Sequence, residues 1–553
     1  MRRWFKKWQT VIIWLVAGSF VVGVAWWSIG SYFGARSANQ NTQYSIEQTA
    51  GYITKDGSPV QDPSFWVFPW DLDSEYANRL ASYGIQNLDI VFNEPMIKTV
   101  ILNDLLHAKV ELYYADKAGL TVSKDEIEEE LDKYRTQINN NKPMSDYIKS
   151  AYRSVENYLT QVMKPKLETS LTLQKVADAV ASVDEDDMKN YFEENQVDLR
   201  NRYDKADLRL VSFDNEASAT EFVENLMNVG FDVAASSMGL ETNDLPGFTR
   251  GIFSEPFEEE IFSGESGKVV GPIPMSGSWY VVEVEAATSL RNFDDFLLSD
   301  AYNQETEQLK SDKLQEWFTE YTTEENIGLV FNDPILRTWK EIRDATPSNY
   351  EKIREKLYSE VFTPESSVST QAPDTLKSAY VYLLEKMQSS LSQEMTTTDS
   401  TETRLNLQAR VDQLELERQK IVENLYEQYP SSLEVAKRMF EFHRGDMQIR
   451  YNYYSLLYSE IKPYMYGETI NYIYNDLINV QAGFLSIAHS DASTELRADA
   501  FYNLYDIAKT LNDATSAKGY LESLRELSPE YIDFETALRD LGFEPEATNT
   551  QSE

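Results

Sequence analysis

Residues 204–288 interrupt a helical pattern that governs most of this chain. Ala206–Phe213 reads ADLRLVSF, an apolar–polar alternation of strand period. Ser218–Gly230, SATEFVENLMNVG, returns to helix period and stops at a glycine. Gly277–Ala286, GSWYVVEVEA, is again strand-like, with Trp279, Val281 and Val284 among its apolar positions. A β-α-…-β order confined to about 85 residues predicts one compact α+β module set into a mainly α chain. A chain of 553 residues with 42% hydrophobic content has room for two to four such cores.

The flanks predict helices with definite ends. Residues 97–179 are strongly helical, and Val100, Ile101, Leu105, Ala108 and Leu112 form one stripe that Gly119 terminates. Ser123-Lys-Asp-Glu126 opens IEEELDKY as a capping box. The same device is expected at Ser182-Val-Asp-Glu185, and the acidic residues there suit the positive end of the helix dipole. The carboxylate run Asp184–Asp187 therefore reads as helix-start chemistry before it reads as a metal site. After the module, Leu314, Trp317, Phe318 and Tyr321 recur at helical spacing.

Upstream, Trp66, Phe68 and Trp70 alternate in SFWVFPWDL, so an extended strap would place them on one face. Downstream, residues 364–403 hold two Ser/Thr-rich patches that read as loops or a linker around one helix. Leu407, Val411, Leu414, Ile421 and Leu425 then nearly follow a heptad, predicting a helical hairpin or a short coiled coil. In 430–545, Phe501, Leu504 and Ile507 or Ala508 define one helix. Ala514, Ala517, Tyr520, Leu521 and Leu524 define the next, ended by Pro529. Small residues at the crossing and a terminal proline resemble a tetratricopeptide unit, which implies a helical-repeat region able to dock a protein partner.

The N-terminus predicts an anchor. Arg2, Arg3, Lys6 and Lys7 precede Val11–Ala35, a run of 25 residues without a charge. About 20 apolar residues span a bilayer, and a basic flank keeps its end in the cytoplasm. A cleaved signal peptide, cut before Ala38, is the competing reading. The expected location is thus the inner (cytoplasmic) membrane, single-pass, with the N-terminus inside and the bulk extracytoplasmic. A net charge of −40 excludes the phosphate neutralisation that nucleic-acid binding needs. With no cysteine, disulfides, thiol catalysis and thiolate zinc sites are excluded.

Three stretches carry a resemblance: NDLPGFTRGIFSEPFEEEIF from Asn243, ESGKVVGPI from Glu265 and GSWYVVEV from Gly277. Together they resemble the parvulin-type prolyl isomerase module, with its Phe-x-Arg-Gly segment, aromatic helix and glycine-proline turn. The resemblance places Leu245, Phe253 and Phe257 in an apolar prolyl pocket; the same three would also serve as ordinary core. It puts Leu208 and Trp279 where the family carries its two histidines, and shortens the loop that brings Cys or Asp to SSMGLETN. The only histidines, His107, His443 and His489, lie outside the module. The resemblance therefore implies peptide binding at Leu245, Phe253, Phe257 and Trp279, with no catalytic residue. LLHAKVELYYADKAGLTVSKDEIEEEL, VDEDDMKNYFEEN and KLQEWFTEYTTEENIGLVFNDPIL flank the module in the order seen in the SurA and PpiD type of periplasmic chaperone. In that family the helix after the module packs back on the N-terminal helices.

Other chemistry fails on spacing. Gly264-Glu-Ser-Gly267-Lys268 lacks the P-loop glycine separation, and Val269 stands where a magnesium-binding hydroxyl belongs. No cofactor or metal is expected. Arg444-Gly-Asp446 lies inside a helical run, and His107 on an apolar helix reads as a core or edge residue.

The expected plan is a basic flank (1–10), a transmembrane anchor (11–35) and a helical chaperone domain with its strap (36–185). A parvulin-like domain (186–289), returning helices (290–345), a linker with a helix (346–403), a repeat region (404–545) and a tail (546–553) follow. The expected function is ATP-independent capture of unfolded or newly translocated chains. Two rival readings are an active prolyl isomerase and an interaction scaffold for a membrane complex.

Overall fold

The structure, a computed structural model, describes residues 44–82, 89–226, 229–263 and 265–543. The expected flank (1–10), anchor (11–35) and tail (546–553) lie outside these residues. Among the described residues, no helix is long and apolar enough to cross a membrane. The chain is mainly helical, with the small sheet module its periodicity implies and a second four-stranded sheet that the sequence pattern did not announce. The described strands are β1 (Gly51–Lys55), β2 (Ser58–Pro59), β3 (Trp66–Val67), β4 (Lys205–Phe213), β5 (Asn243–Thr249), β6 (Lys268–Met275), β7 (Ser278–Thr288) and β8 (Ile327–Phe331). The described residues form two compact units, one drawn from those within 44–54, 58–109 and 329–543, the other from those within 55–57 and 110–328.

In the first unit, β1 lies between β2 and β3, and β8, which follows the module in sequence, pairs with β1. Asn332 locks this return: its side-chain amide donates to the Ile46 carbonyl at 2.7 Å and to Thr49 Oγ1 at 3.0 Å. The expected aromatic strap is only partly extended. Trp66 pairs with Tyr52 across β3–β1, but a helix, Pro69–Ser82, starts before Trp70. The alternation is therefore broken, and Phe68 stacks on Trp70 at 4.5 Å instead. Proline at the first helical position explains the switch, since its missing N–H is not needed there.

Helix Asn93–Ala118 ends at Gly119, whose φ is +67°. Its buried line is Ile101, Leu102, Leu106 and Val110; Val100, Leu105, Ala108 and Leu112 are only half-buried. Apolar residues fall on more than one side of this helix, among them Val100, Ile101, Leu102, Leu105 and Leu106, so period alone cannot choose its inner face. The sheet chooses it: a Cβ on Gly51 would stand 3.1 Å from Leu106 Cδ1 and 3.3 Å from Leu102 Cδ1.

The region 346–403 is not a linker. Asp374–Thr397 forms one helix whose Ala379, Tyr380, Val381, Leu383 and Leu384 are wholly buried. The Ser/Thr-rich patch after Met387 supplies its exposed last turns. The helix packs as a hairpin against Thr401–Gln428, and Leu414, Ile421 and Leu425 of the heptad fill the contact. From there each helix packs on its neighbour in sequence. Thr494–Thr510 and Ala514–Leu527 fall where the pattern places them, with Phe501, Leu504, Ile507, Ala508, Ala517, Leu521 and Leu524 buried. Gly483 permits the closest crossing in this region, because a Cβ there would meet the Tyr454 ring at 2.3 Å. Arg444-Gly-Asp446 is a turn, not helix: Asp446 Oδ1 caps Met447–Ile461 by accepting from the Gln448 and Ile449 N–H groups.

In the second unit, Ser123 and Glu126 form the expected capping box at the start of Lys124–Asn140. The second box sits two residues later than expected. Asp184, not Ser182, caps Glu185–Tyr203, and Asp187 returns the bond to the Asp184 N–H at 3.1 Å. Aspartate caps as well as serine, so either frame satisfies the pattern. Helix Asp300–Glu324 leaves the module and packs on Lys164–Val180. Lys310 Nζ meets Asp178 at 2.6 Å, and Lys313 Nζ meets Asp187 at 2.7 Å. Glu305, 2% exposed, accepts from the Tyr191 hydroxyl at 2.6 Å, the Tyr203 hydroxyl at 2.5 Å and Arg202 at 2.8 Å. Burial works to raise its carboxyl, and these donors outweigh it, leaving the group below the ordinary range. Tyr114, Trp317 and Tyr321 complete the return as a ring cluster with centroids 4.9–5.2 Å apart.

Candidate functional site

The module is an antiparallel sheet of order β5-β4-β7-β6. Both faces are covered. Val211, Phe213, Phe222, Phe231 and Val281 fill one face beneath helices Glu216–Leu226 and Phe231–Ser237. Leu208, Phe248, Ile261, Phe262, Val270, Ile273, Val282 and Val284 fill the other, against helix Glu255–Ile261. Sheet parity alone would not put Val270 and Ile273 on the same face, since they are three residues apart. The register shift between them does so, at the Gly271-Pro272 pair. Gly271 has φ +139°, and a Cβ on it would lie 2.8 Å from the Tyr280 carbonyl oxygen. The glycine of the G-P-I turn therefore answers a backbone requirement.

Of the four expected pocket residues, two pack on the second face. Phe253 and Phe257 are half-buried against its cluster. Phe253 also lies 5.2 Å from the Phe248 ring. Leu245, 37% exposed, sits directly across from Leu208 in the β4–β5 register. Trp279 does not join them. It packs with the opposite cluster, against Val211 and Phe213. The residue of β7 that shares the face with Leu208, Phe253 and Phe257 is Tyr280, one position on. Strand parity carries that signal: 206, 208 and 210 on β4 fall with 280, 282 and 284 on β7.

The aromatic wall is held by buried ionic groups that sequence reading missed. Glu258, 6% exposed, lies on the wall's own helix and accepts at Oε1 from the Gly251, Ile252 and Phe253 N–H groups at 2.8, 3.0 and 3.0 Å. Arg250 lies over the Phe262 ring, 4.5 Å from its centroid, and bonds Asp204 at 2.6 Å and Glu259 at 2.7 Å. Asp204, wholly buried, also accepts from the Ser289 hydroxyl and the Leu290 N–H, both at 2.8 Å. Arg200 reaches Glu259 at 2.8 Å. Burial pushes the Glu259 carboxyl up, but Arg200 and Arg250 hold it below the usual carboxylate range. These charges tie the segment Arg250–Phe257 to the end of helix Glu185–Tyr203, so the wall is fixed by the helices that frame it.

The resulting surface is apolar and aromatic: Phe253, Phe257 and Tyr280 are half-buried against the second-face cluster, and Leu245 and Ile252 are 37% and 55% exposed. Apolar surface of this kind suits contact with a prolyl ring or another apolar side chain. Leu208, 1% exposed, occupies the position where the parvulin resemblance calls for histidine. The module contains neither imidazole nor thiol. His107 is half-buried on helix Asn93–Ala118, and burial lowers its pKa. His443 bonds Glu423 at 2.9 Å, and His489 packs edge-on against Phe501. Among the described residues, no group of carboxylates or histidines has the arrangement to hold a metal ion.

Comparison with known proteins agrees with this placement. Residues 183–296 match the family model of the PPIC-type PPIASE domain. The Foldase protein PrsA of Caldanaerobacter subterraneus subsp. tengcongensis is 23% identical over 221 residues, 37% of this chain. The chain spans 65% of that relative's length. Among solved structures, SurA-like chaperones of Campylobacter jejuni align at 14% identity and TM-score 0.24, over 51% of this chain and 98% of that chain. Peptidylprolyl isomerase PrsA from Bacillus cereus aligns at 16% identity and TM-score 0.19, over 59% of this chain and 97% of that one. At those scores the structural alignments carry no argument about fold. The segment 183–296, which holds the β5-β4-β7-β6 sheet, is where this chain is similar to the PPIC-type PPIASE family.

Proposed function

We propose that this protein is a membrane-anchored, extracytoplasmic, ATP-independent chaperone that captures unfolded or newly translocated chains. Its parvulin-like module binds apolar segments without catalysing prolyl isomerisation. The carrying observation is the aromatic surface of the module: Phe253 and Phe257 half-buried against the sheet, backed by Glu258 and Arg250, with Leu208 where an imidazole is expected. Capture lowers the free concentration of aggregation-prone chains and needs no nucleotide. The charge-free run Val11–Ala35 behind a basic flank supports the anchor. Similarity to a foldase supports the class of activity. The helical run beyond residue 404 is read as a tetratricopeptide-like docking region.

The test is binding of a fluorescently labelled, permanently unfolded protein to the full chain in detergent, without nucleotide. Saturable binding in the micromolar range is expected, and Phe253→Ser with Phe257→Ser should weaken it severalfold. No binding by the parent chain would end the proposal. The second reading, an active isomerase, is favoured by the retained Leu245, Phe253 and Phe257. It predicts a large, saturable acceleration of peptide prolyl isomerisation that Phe257→Ala abolishes.

A further inference from the structure

A recess lies in the first unit. It has a volume of about 670 Å³, within the range of sites that bury a ligand. Its floor is apolar: Leu72, Pro95 and Leu336 line it and are buried, and Ile90, 58% exposed, stands at its rim. Its charge is one-sided. Glu47, Asp73, Glu94 and Asp333 contribute carboxylates, and Lys98 is the one cation among the lining residues. Lys98 is already committed, bonding Asp73 at 2.9 Å and Glu94 at 3.0 Å. Asp333 caps the helix Pro334–Arg343 through Oδ1 alone, accepting from the Ile335 and Leu336 N–H groups at 2.8 and 3.0 Å. Its Oδ2 is not used by the cap.

We infer that this recess binds an extended segment of another polypeptide that presents an arginine or lysine beside an apolar side chain. The apolar residue covers the floor, and the cationic group meets Glu47 and Asp333. Glu47 and Asp333 are exposed carboxylates at the edge of an apolar recess whose one lysine is already paired, so charge complementarity favours a basic occupant over an anionic or neutral one. The inference deepens the chaperone reading and rests on it: it names basic-apolar segments as a preferred part of the client.

The experiment uses the full chain in detergent and three labelled decapeptides with the same leucine and phenylalanine content. Their remaining positions carry lysine and arginine, glutamine, or glutamate. Fluorescence anisotropy should give the basic peptide the lowest Kd. Glu47→Gln with Asp333→Asn should weaken it about tenfold, the loss two partly exposed charge pairs produce together. Asparagine also caps helices, so the folded state survives that change. The variant should leave the glutamine peptide unaffected, and added salt should erase the difference between them. Equal Kd values for basic and glutamine peptides, or a double variant that binds the basic peptide as the parent does, would overturn the inference. The chaperone reading would survive either result if the unfolded protein still bound. Loss of both would remove the two together.

Discussion

Glu258 shows how one side chain positions an aromatic wall. Three backbone N–H groups converge on its Oε1, and its removal would leave them to solvent in a loop whose Gly251 and Ile252 are exposed. Glu258→Ala is expected to cost about 1–3 kcal/mol of local stability, the scale for removing a buried hydrogen-bond partner. Amide exchange at Gly251–Phe253 should accelerate strongly while exchange in β7 changes little. Uniform acceleration over the whole sheet would instead make Glu258 a general core residue. Glu111 offers a separate test, in pH. Burial raises its carboxyl from the ordinary 4.5 to about 7. The folded state therefore holds its proton more tightly than the unfolded chain. Glu111 contributes its full stability below about pH 4.5 and loses it as pH rises through 7. Glu111→Gln should raise Tm at pH 8, with the gain shrinking towards pH 5. A gain equal at both values would contradict this assignment.

At the scale of elements, caps and stripes decide which sequence signals were legible. The helix ends were readable where one residue alone could serve, as at Gly119 and Ser123. They slipped where two frames compete, as at Ser182 and Asp184. Asp184→Ala is accordingly expected to cost about 1 kcal/mol, whereas Ser182→Ala should be nearly silent in thermal unfolding. The helix pair Thr494–Thr510 and Ala514–Leu527 was legible because each presents one apolar stripe and a polar back. The inner face of Asn93–Ala118 was not, because its choice depends on Gly51 and the sheet. In the module, β4 and β7 were legible from alternation, whereas β5 and β6 were not, and Leu245, Phe253 and Phe257 were grouped by the resemblance alone. The resemblance puts Trp279 at the family's second histidine position, but parity with Leu208 across β4–β7 puts Tyr280 on the face of Phe253 and Phe257. The bulge at Gly271 hides the matching parity on β6. The ionic clamp of Arg250, Asp204 and Glu259 was illegible, since its partners are up to 46 residues apart and acidic runs are common throughout this chain.

At the scale of the whole molecule, two kinds of surface stand behind the proposed function. One is the aromatic surface of the module, tied by Arg200, Arg250 and Asp204 to the end of helix Glu185–Tyr203. The other is the acidic recess of the first unit. Both suit reversible capture of unstructured chain. The measurement that tests this most directly is light scattering. A chemically unfolded client is diluted into buffer containing the full chain in detergent, without nucleotide. Suppression of aggregation at near-stoichiometric amounts is expected, reduced when Phe253 and Phe257 are both replaced by serine. Scattering as strong with the protein as without it would contradict the account.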